Sequence, residues 1–272
     1  MLINKDNPVI GWWSGGVRSA VVCKICIDMF GAENVRLIFI DTKNEDDDTY
    51  RFKNDCEKWY GSEIETISSA KHHNIEDVWY DNLSLGLAKG AVCSSELKII
   101  VRQQFTKRNK YSFQAFGYDN GETNRANDML KSNPHLRPIF PLLMLWMNKY
   151  ECVKYVQAAN SLFISIQLPL TYRLGLSNNN CFKTGCVQGG IGYWQWMEVN
   201  QPPKFYAMAK REHEISELKG EPVTICKDQS KGGGLVFLKY NPKFPHIKDI
   251  SMMKGRPPEM LIECNGFCAT KY

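Results

Sequence analysis

The stretch NPVIGWWSGGVRSAVVCKICIDMFGAENVRLIFIDT, Asn7 to Thr42, decides the fold. Val9 to Trp13 is an apolar run of strand length that breaks off at Ser14-Gly15-Gly16. Val17 to Phe30 is apolar nearly all round, as in a helix packed into a large protein, and Gly31 supplies the left-handed stop that helix ends favour. Val35 to Ile40 is an uninterrupted apolar run, the pattern of a parallel strand covered on both faces. Strand, loop, helix and strand in this order make one right-handed crossover unit. Its loop has two glycines that let a ligand approach the backbone and two serines that offer hydroxyls. The helix starting at Val17 adds unpaired N–H groups. Such a loop suits an anion, and a glycine pair at a strand-to-helix turn is also ordinary turn chemistry. It is neither G-x-G-x-x-G nor G-x-x-x-x-G-K-[ST], because the required glycines and lysine are absent.

Around this unit the chain runs to 272 residues, enough to bury a sizeable core as one large domain with an elaboration. Its 43% hydrophobic and 23% charged residues are those of a globular protein. No run is long or apolar enough to span a membrane and Met1 to Asp6 holds no apolar signal core, so a soluble, cytoplasmic protein without membrane partners is expected. A net charge of +5 and a pI near 8.6 are compatible with anionic ligands of any size and do not demand nucleic acid. Ten cysteines without a secretion signal point to thiols, metal ligands or redox groups rather than structural disulfides.

Further along, Asp41-Thr42 ends the second strand at the edge where open α/β sheets bind ligands. The acidic run Glu45 to Asp48 reads as a solvated helix start, with Tyr50, Cys56 and Trp59 facing inward. Glu63 to Ile67 alternates like a third strand, and His72-His73 reads as a surface pair. Cys93-Ser94-Ser95-Glu96-Leu97-Lys98 opens a helix with Ser94 or Ser95 as N-cap. Lys98 and Arg102, four apart, either reach one phosphate together or form a solvated basic face. Ser112 to Gly117 is a strand, Asn148 to Ala159 a helix and Phe205 to Leu218 an amphipathic helix. From Leu168 onward the composition becomes turn-rich, with Asn178 to Gly190 followed by Tyr193, Trp194 and Trp196. Lys231 to Gly234 reads as a hairpin turn. Cys181 and Cys186, and Cys264 and Cys268, are closely spaced pairs among glycine and asparagine. They suit zinc or an iron-sulfur cluster, or are thiols without a ligand.

Ser14-Gly15-Gly16-Val17-Arg18-Ser19 resembles the S-G-G-x-[DT]-S loop of the PP-loop ATP pyrophosphatases and their relatives, the phosphoadenosine phosphosulfate reductase family. In that superfamily the loop holds the phosphates or sulfate of an adenine nucleotide. Arg18 departs from the acidic residue of many ATP-cleaving members, which counts against ATP hydrolysis. Asp41-Thr42-Lys43 and Asp48-Thr49-Tyr50-Arg51-Phe52 are similar to the family's D-T-G and E-T-x-x-F, and the resemblance implies that Asp41 and Thr42 line the nucleotide pocket. Cys93 and Lys98 look like the equivalents of the family's C-x-x-x-L/R-K. Cys93-Ser94 stands where cluster-bearing reductases have two adjacent cysteines, so the resemblance implies Cys93 as an alternative to one of the four metal-ligand cysteines while the second cysteine of that pair is missing. The loop Gly117 to Arg125 resembles G-x-R-x-[DE]-S-x-x-R, so that Gly117, Glu122 and Arg125 carry over while Asp119 replaces the first arginine. Arg125 is then a contact to the nucleotide's anionic group or else a helix-cap arginine. Pro138 to Trp146 is similar to the family's P-L-x-x-W segment. Asn178 to Trp194 is similar to a cysteine-rich stretch of uncharacterised members. The tail Glu263-Cys264-Asn265-Gly266-Phe267 lacks the histidine of the reductases' E-C-G-x-H.

The resemblance implies a doubly wound, mostly parallel α/β sheet with a cysteine-rich C-terminal elaboration, divided as residues 1–165 and 166–272. It implies sulfonucleotide chemistry or sulfur transfer with ATP or phosphoadenosine phosphosulfate. The alternatives are adenylation of a nucleic-acid or small-molecule acceptor with release of pyrophosphate, and a nucleotide-binding module without turnover. A nucleic-acid or protein acceptor is the expected partner.

Overall fold

The computed structural model describes residues 2–86 and 91–258. The chain forms two compact units, each drawn from separate stretches. The first comprises Met1–Asp41, Asp47–Ser68 and Val101–Arg173, and the second Thr42–Asp46, Ser69–Ile100 and Leu174–Tyr272.

The first unit is built on five strands, β1 (Val9–Trp13), β2 (Val35–Ile40), β3 (Ile64–Ile67), β4 (Phe113–Ala115) and β5 (Pro138–Ile139). Every pairing is parallel and the order is β3-β2-β1-β4-β5. The chain leaves β1 toward β2 on one side and later fills β4 and β5 on the other. The order therefore reverses between β1 and β4, and the carboxyl ends of those two strands bound the crevice in which doubly wound sheets bind ligands. In register, Gly11 lies between Leu37 of β2 and Ala115 of β4.

Helix α1 (Val17–Phe30) follows β1, and α2 (Asp47–Tyr60) follows β2. In the second unit α3 (Ile75–Asn82) is succeeded by α4 (Val92–Ser94) and a π-helical turn, Ser95–Ile99. The chain re-enters the first unit as α5 (Ile100–Arg108), followed by α6 (Thr123–Ser132), α7 (Pro141–Met144), α8 (Lys149–Ala158) and α9 (Leu170–Arg173). The second unit continues with α10 (Ile191–Asn200), α11 (Pro202–Lys219) and a small sheet of β6 (Cys226–Lys227), β7 (Leu235–Phe237) and β8 (Lys248–Asp249). β1, α1 and β2 occupy the residues expected from their apolar runs. Asn148 caps α8 in a reciprocal pairing with Glu151, which explains why that helix starts where it does.

Alternation along the strands divides the sheet's side chains between two layers. Val9, Trp13, Leu37, Phe39 and Ile64 pack with Val21, Cys23 and Ile25 of α1, Phe52 and Trp59 of α2, and Cys152 and Val156 of α8. Trp13 meets Phe39 edge-on at 5.2 Å and lies 5.9 Å from Phe52, so each buried ring contributes about 1.5–3 kcal/mol of transfer free energy. A Cβ on Gly11 would stand 2.9 Å from Leu37 Cδ2 and 3.3 Å from Cys23 Sγ, so a larger residue here would push the Leu37 methyl aside and press on α1 at Cys23. On the opposite face Trp12 donates to Gln114 Oε1 at 2.8 Å and meets Phe105 of α5 edge-on. Helices thus cover both faces, as a doubly wound sheet requires.

Four local expectations are corrected. His72 is buried rather than at the surface, with Nε2 3.3 Å from Glu96 and Nδ1 3.5 Å from Asp81. Ala91, not Ser94 or Ser95, precedes α4, and Ser94 lies inside the helical run. Lys98 and Arg102 are both buried, which excludes a solvated basic face. Glu45 is also buried and precedes α2, so only the later acidic residues open that helix.

In the second unit α10 and α11 are joined by Gln201, with Pro202 at the first position of α11, where its missing N–H costs nothing. Glu212 of α11 is fully buried and accepts from Ile225 N at 2.7 Å and Leu238 N at 2.6 Å, tying the helix to the segments beside β6 and β7. Burial pushes its carboxyl up to about 8, against the two N–H donors that favour the charged form. The Lys231 to Gly234 stretch closes the β6–β7 hairpin, with Gly232 at φ 78°.

Candidate functional site

The loop between β1 and α1 is held open by its own backbone. Gly15 has φ 85°, a left-handed value that glycine adopts without strain, and Gly16 precedes α1 with no side-chain cap. Ser19 Oγ accepts from Ser14 N and Ser14 Oγ, each at 3.0 Å, and donates to Gly16 O at 2.9 Å. The two serines therefore brace the loop across its mouth. With no side chain capping α1, the positive end of a 14-residue helix faces this loop, the arrangement that receives phosphate or sulfate. A Cβ at Gly117 would stand 3.2 Å from Ser19 N, so glycine lets the chain leaving β4 close against the first turn of α1.

That closure is locked by charge. Arg18, only 6% exposed, donates from Nη1 to Asp119 Oδ2 at 3.0 Å and also to Glu122 Oε2. Glu122 Oε1 takes Nη1 of Arg125, whose guanidinium lies 5.0 Å from the centre of the Tyr118 ring. Asp119 Oδ1 accepts from Gly121 N at 3.0 Å and caps the short turn before α6. Two arginines and two carboxylates thus form a neutral network across the switch point. Arg125 Nη2 is buried and has no hydrogen-bond partner, which leaves one forked donor for an added anion. Val17 is fully buried against the core and anchors the loop. On β2, Asp41 N donates to Ile67 O at 2.8 Å and Asp41 Oδ1 accepts from Tyr50 Oη at 3.0 Å, so Asp41 is fixed at the strand's carboxyl end.

Other expected residues gather in the second unit. Thr42 Oγ1 donates to Glu45 Oε1 at 3.0 Å, accepts from Asn44 N at 3.3 Å and lies 3.9 Å from Cys181 Sγ. Lys98 Nζ is 3.9 Å from Glu45 Oε1 and is carried by the π-helical turn, whose extra residue per turn re-aims a side chain and recurs at functional sites. Thr42, Cys93, Lys98, Cys181, Cys186 and Gln188 line one open cavity. Two residues assigned to the nucleotide and three assigned to a metal therefore share one wall. Among the described residues no three cysteine, histidine or acidic side chains are arranged to hold a metal ion, and Cys264 and Cys268 lie outside the described residues. Arg102 belongs to the first unit, where burial lowers its pKa from the ordinary value.

The sequence reading missed Asp119, Glu45 and Tyr50 as partners in these networks. The signal for Asp119 was present: Arg18 and Asp119 are two departures of opposite sign from one pattern, and they meet. Nothing local marks Glu45, because an acidic run reads alike whether one member is buried or all are solvated.

Residues 8–99 match the phosphoadenosine phosphosulfate reductase domain model. A search of the curated proteins finds no match. Among solved structures the chain resembles phosphoadenylyl-sulfate reductase from Candida auris in its phosphate complex. The two share 15% identity over 64% of this chain and 81% of the other, with a TM-score of 0.47. Among the described residues no helix is long and apolar enough to cross a membrane. Residues 8–99, which hold β1, the Ser14–Ser19 loop, α1, β2 and the Lys98 turn, are the part of the chain that is similar to the phosphoadenosine phosphosulfate reductase domain.

Proposed function

We propose that the chain binds an adenine nucleotide, ATP or phosphoadenosine phosphosulfate, with its phosphates or sulfate at the Ser14–Ser19 loop, and serves sulfonucleotide chemistry or sulfur transfer. The observation that carries this reading is the uncapped start of α1 behind Gly15 and Gly16 at the β1/β4 switch point, within the stretch that matches the family. Gly16 and Val17 supply backbone donors, Ser14 and Ser19 hold the loop's shape, and Arg125 offers its remaining donor to the anion. Asp41 and Thr42 are assigned to the nucleotide by their place at the end of β2, and Lys98 by its charge. Group transfer of this kind is mainly positioning and charge neutralisation, for which these residue types are suited. Calorimetry with ATP, phosphoadenosine phosphosulfate and adenosine tests the reading. Saturable binding of either phosphorylated nucleotide supports it, and equal, weak heats for all three would overturn it.

A second reading, a nucleotide-binding module without turnover, is favoured by one observation. Arg18 is already countered by Asp119 and Glu122, so its charge is committed before any phosphate arrives. Labelled ATP separates the two: pyrophosphate release marks an enzyme that adenylates an acceptor, and stoichiometric binding without product marks a module.

The cysteines enter this proposal as a ligand set. Cys181 and Cys186, with Cys264 and Cys268, supply four soft thiolate donors for zinc or an iron-sulfur cluster, and Cys93, on the same cavity wall as the first two, is the alternative to one of them. The described residues do not gather three such donors around a point, so no step is assigned to a metal.

A further inference from the structure

Trp146 combines two unfavourable features at one position. Its φ is 54°, a left-handed value that a bulky residue rarely adopts, and its side chain is 73% exposed. Strain of this kind persists only where the surroundings over-determine it. Here they do: Trp146 N donates to Leu143 O at 3.2 Å and Met147 N to Leu142 O at 2.8 Å. Asn120 then donates twice, from N to Met147 O at 3.1 Å and from Nδ2 to Trp146 O at 3.2 Å. Asn120 adjoins Asp119, the partner of Arg18, so the turn that presents the indole is bolted to the loop that closes the candidate anion site.

The surroundings have a chemical character. Tyr150, on the first turn of α8, is 65% exposed, and Lys154 Nζ lies 4.4 Å from its ring centre. Lys149 Nζ lies 5.5 Å from the ring of Tyr172. Between Asp128 and Glu151 the chain has no acidic residue, while Lys131, Arg137 and Lys149 are present. Exposed flat rings beside two lysines, with Glu151 the one acid between Lys149 and Lys154 and already tied to the start of α8 by its pairing with Asn148, are what an unpaired polynucleotide needs: each base has a face to stack and each linkage a phosphate to neutralise. Met144 and Leu145 beside the indole are exposed as well, so a second copy of this chain is the competing occupant. An apolar self-contact would gain nothing from lysines placed over tyrosine rings.

We propose that Trp146 and Tyr150, with Lys149 and Lys154, form a stacking platform for single-stranded nucleic acid at the rim of the candidate site. This names the acceptor class for that site and rests on the nucleotide reading above only for what happens to the acceptor once bound. Duplexes fit poorly, because their base faces are already stacked.

Fluorescence anisotropy of labelled twelve-nucleotide DNA and RNA, single-stranded and duplex, tests the platform on the full chain. Single strands should bind, more weakly as salt rises. Trp146→Ala should weaken them on the order of ten- to a hundredfold, as expected for losing one stacked base, while Trp146→Phe retains most of the affinity. Lys154→Gln should flatten the salt dependence by about one phosphate contact. Calorimetric affinity of Trp146→Ala for ATP or phosphoadenosine phosphosulfate should equal that of the unaltered chain, so a failure of the nucleotide reading shows in the unaltered protein and a failure of the platform shows only in the oligonucleotide assay. Absence of oligonucleotide binding, equal binding by Trp146→Ala, or preference for duplex overturns the platform. Sedimentation that shows self-association lost in Trp146→Ala assigns the face to a second copy instead.

Discussion

Arg18 Nη1 stands 3.0 Å from Asp119 Oδ2, both side chains buried, one on the first turn of α1 and the other in the loop after β4, where it caps the turn before α6. This ion pair spans the switch point of the sheet and, with Glu122 and Arg125, decides how much positive charge the candidate site presents.

Removing one member of a buried pair leaves the other charge uncompensated, at a cost of about 3–5 kcal/mol. Arg18→Met should therefore lower the urea midpoint of the chain markedly, and Asp119→Asn less so, because Glu122 still faces Arg18. Arg18→Asp combined with Asp119→Arg should recover part of the loss, since the reversed pair restores neutrality. Single variants within 1 kcal/mol of the unaltered protein would show that the pair contributes little.

Gly16 has φ −93° and ψ 161°, which any residue adopts. Gly16→Val should fold normally and lose nucleotide affinity, because its branched side chain would occupy the approach to the start of α1. Gly15, at φ 85°, is different, and Gly15→Val should lose stability as well. Unchanged calorimetric affinity in Gly16→Val would move the nucleotide elsewhere.

Arg125 Nη2 is a buried donor without a hydrogen-bond partner at the candidate site. If it meets the ligand's anion, Arg125→Gln should weaken phosphorylated nucleotides by about 1.5–3 kcal/mol and leave adenosine binding nearly unchanged. Equal losses for both ligands would mean that Arg125 only supports Glu122 and Tyr118.

Glu212 makes stability depend on pH. Its carboxyl is raised by burial from 4.5 to about 8 in the folded chain, so the unfolded chain loses this proton first. The contribution is present in full below about 4.5 and is lost as pH rises through about 8. Urea midpoints between pH 5 and pH 8 should fall with rising pH, and less so in Glu212→Gln. That variant should also be less stable at every pH, because its amide turns a donor toward Ile225 N or Leu238 N. Parallel pH profiles for the two proteins would assign the dependence to other groups.

Zinc and iron contents of anaerobically prepared protein test the cysteine proposal. A colourless protein with one zinc supports a structural site, and brown colour with iron supports a cluster. Protein containing neither metal, with the thiols titrating freely, would leave Cys93, Cys181 and Cys186 as thiols of the cavity wall.

The β1–α1–β2 unit was legible from the sequence because each part is specified by neighbours in the chain. Val9 to Trp13 and Val35 to Ile40 have the continuous apolar pattern of doubly covered strands, and Ser14-Gly15-Gly16 can only be a turn that precedes a helix. The helix expected from Asn148 was legible for the same local reason. What Arg18, Glu45, His72 and Lys98 do was not, because the burial of a charged side chain is set by partners elsewhere. Arg18 meets Asp119 across 101 positions, and His72 meets Glu96 across 24. A guanidinium that faces a phosphate and one that faces two carboxylates look the same in a sequence. The tertiary structure decided which side chains meet this one by bringing the chain after β4 against the first turn of α1, where two carboxylates offset the arginine's desolvation.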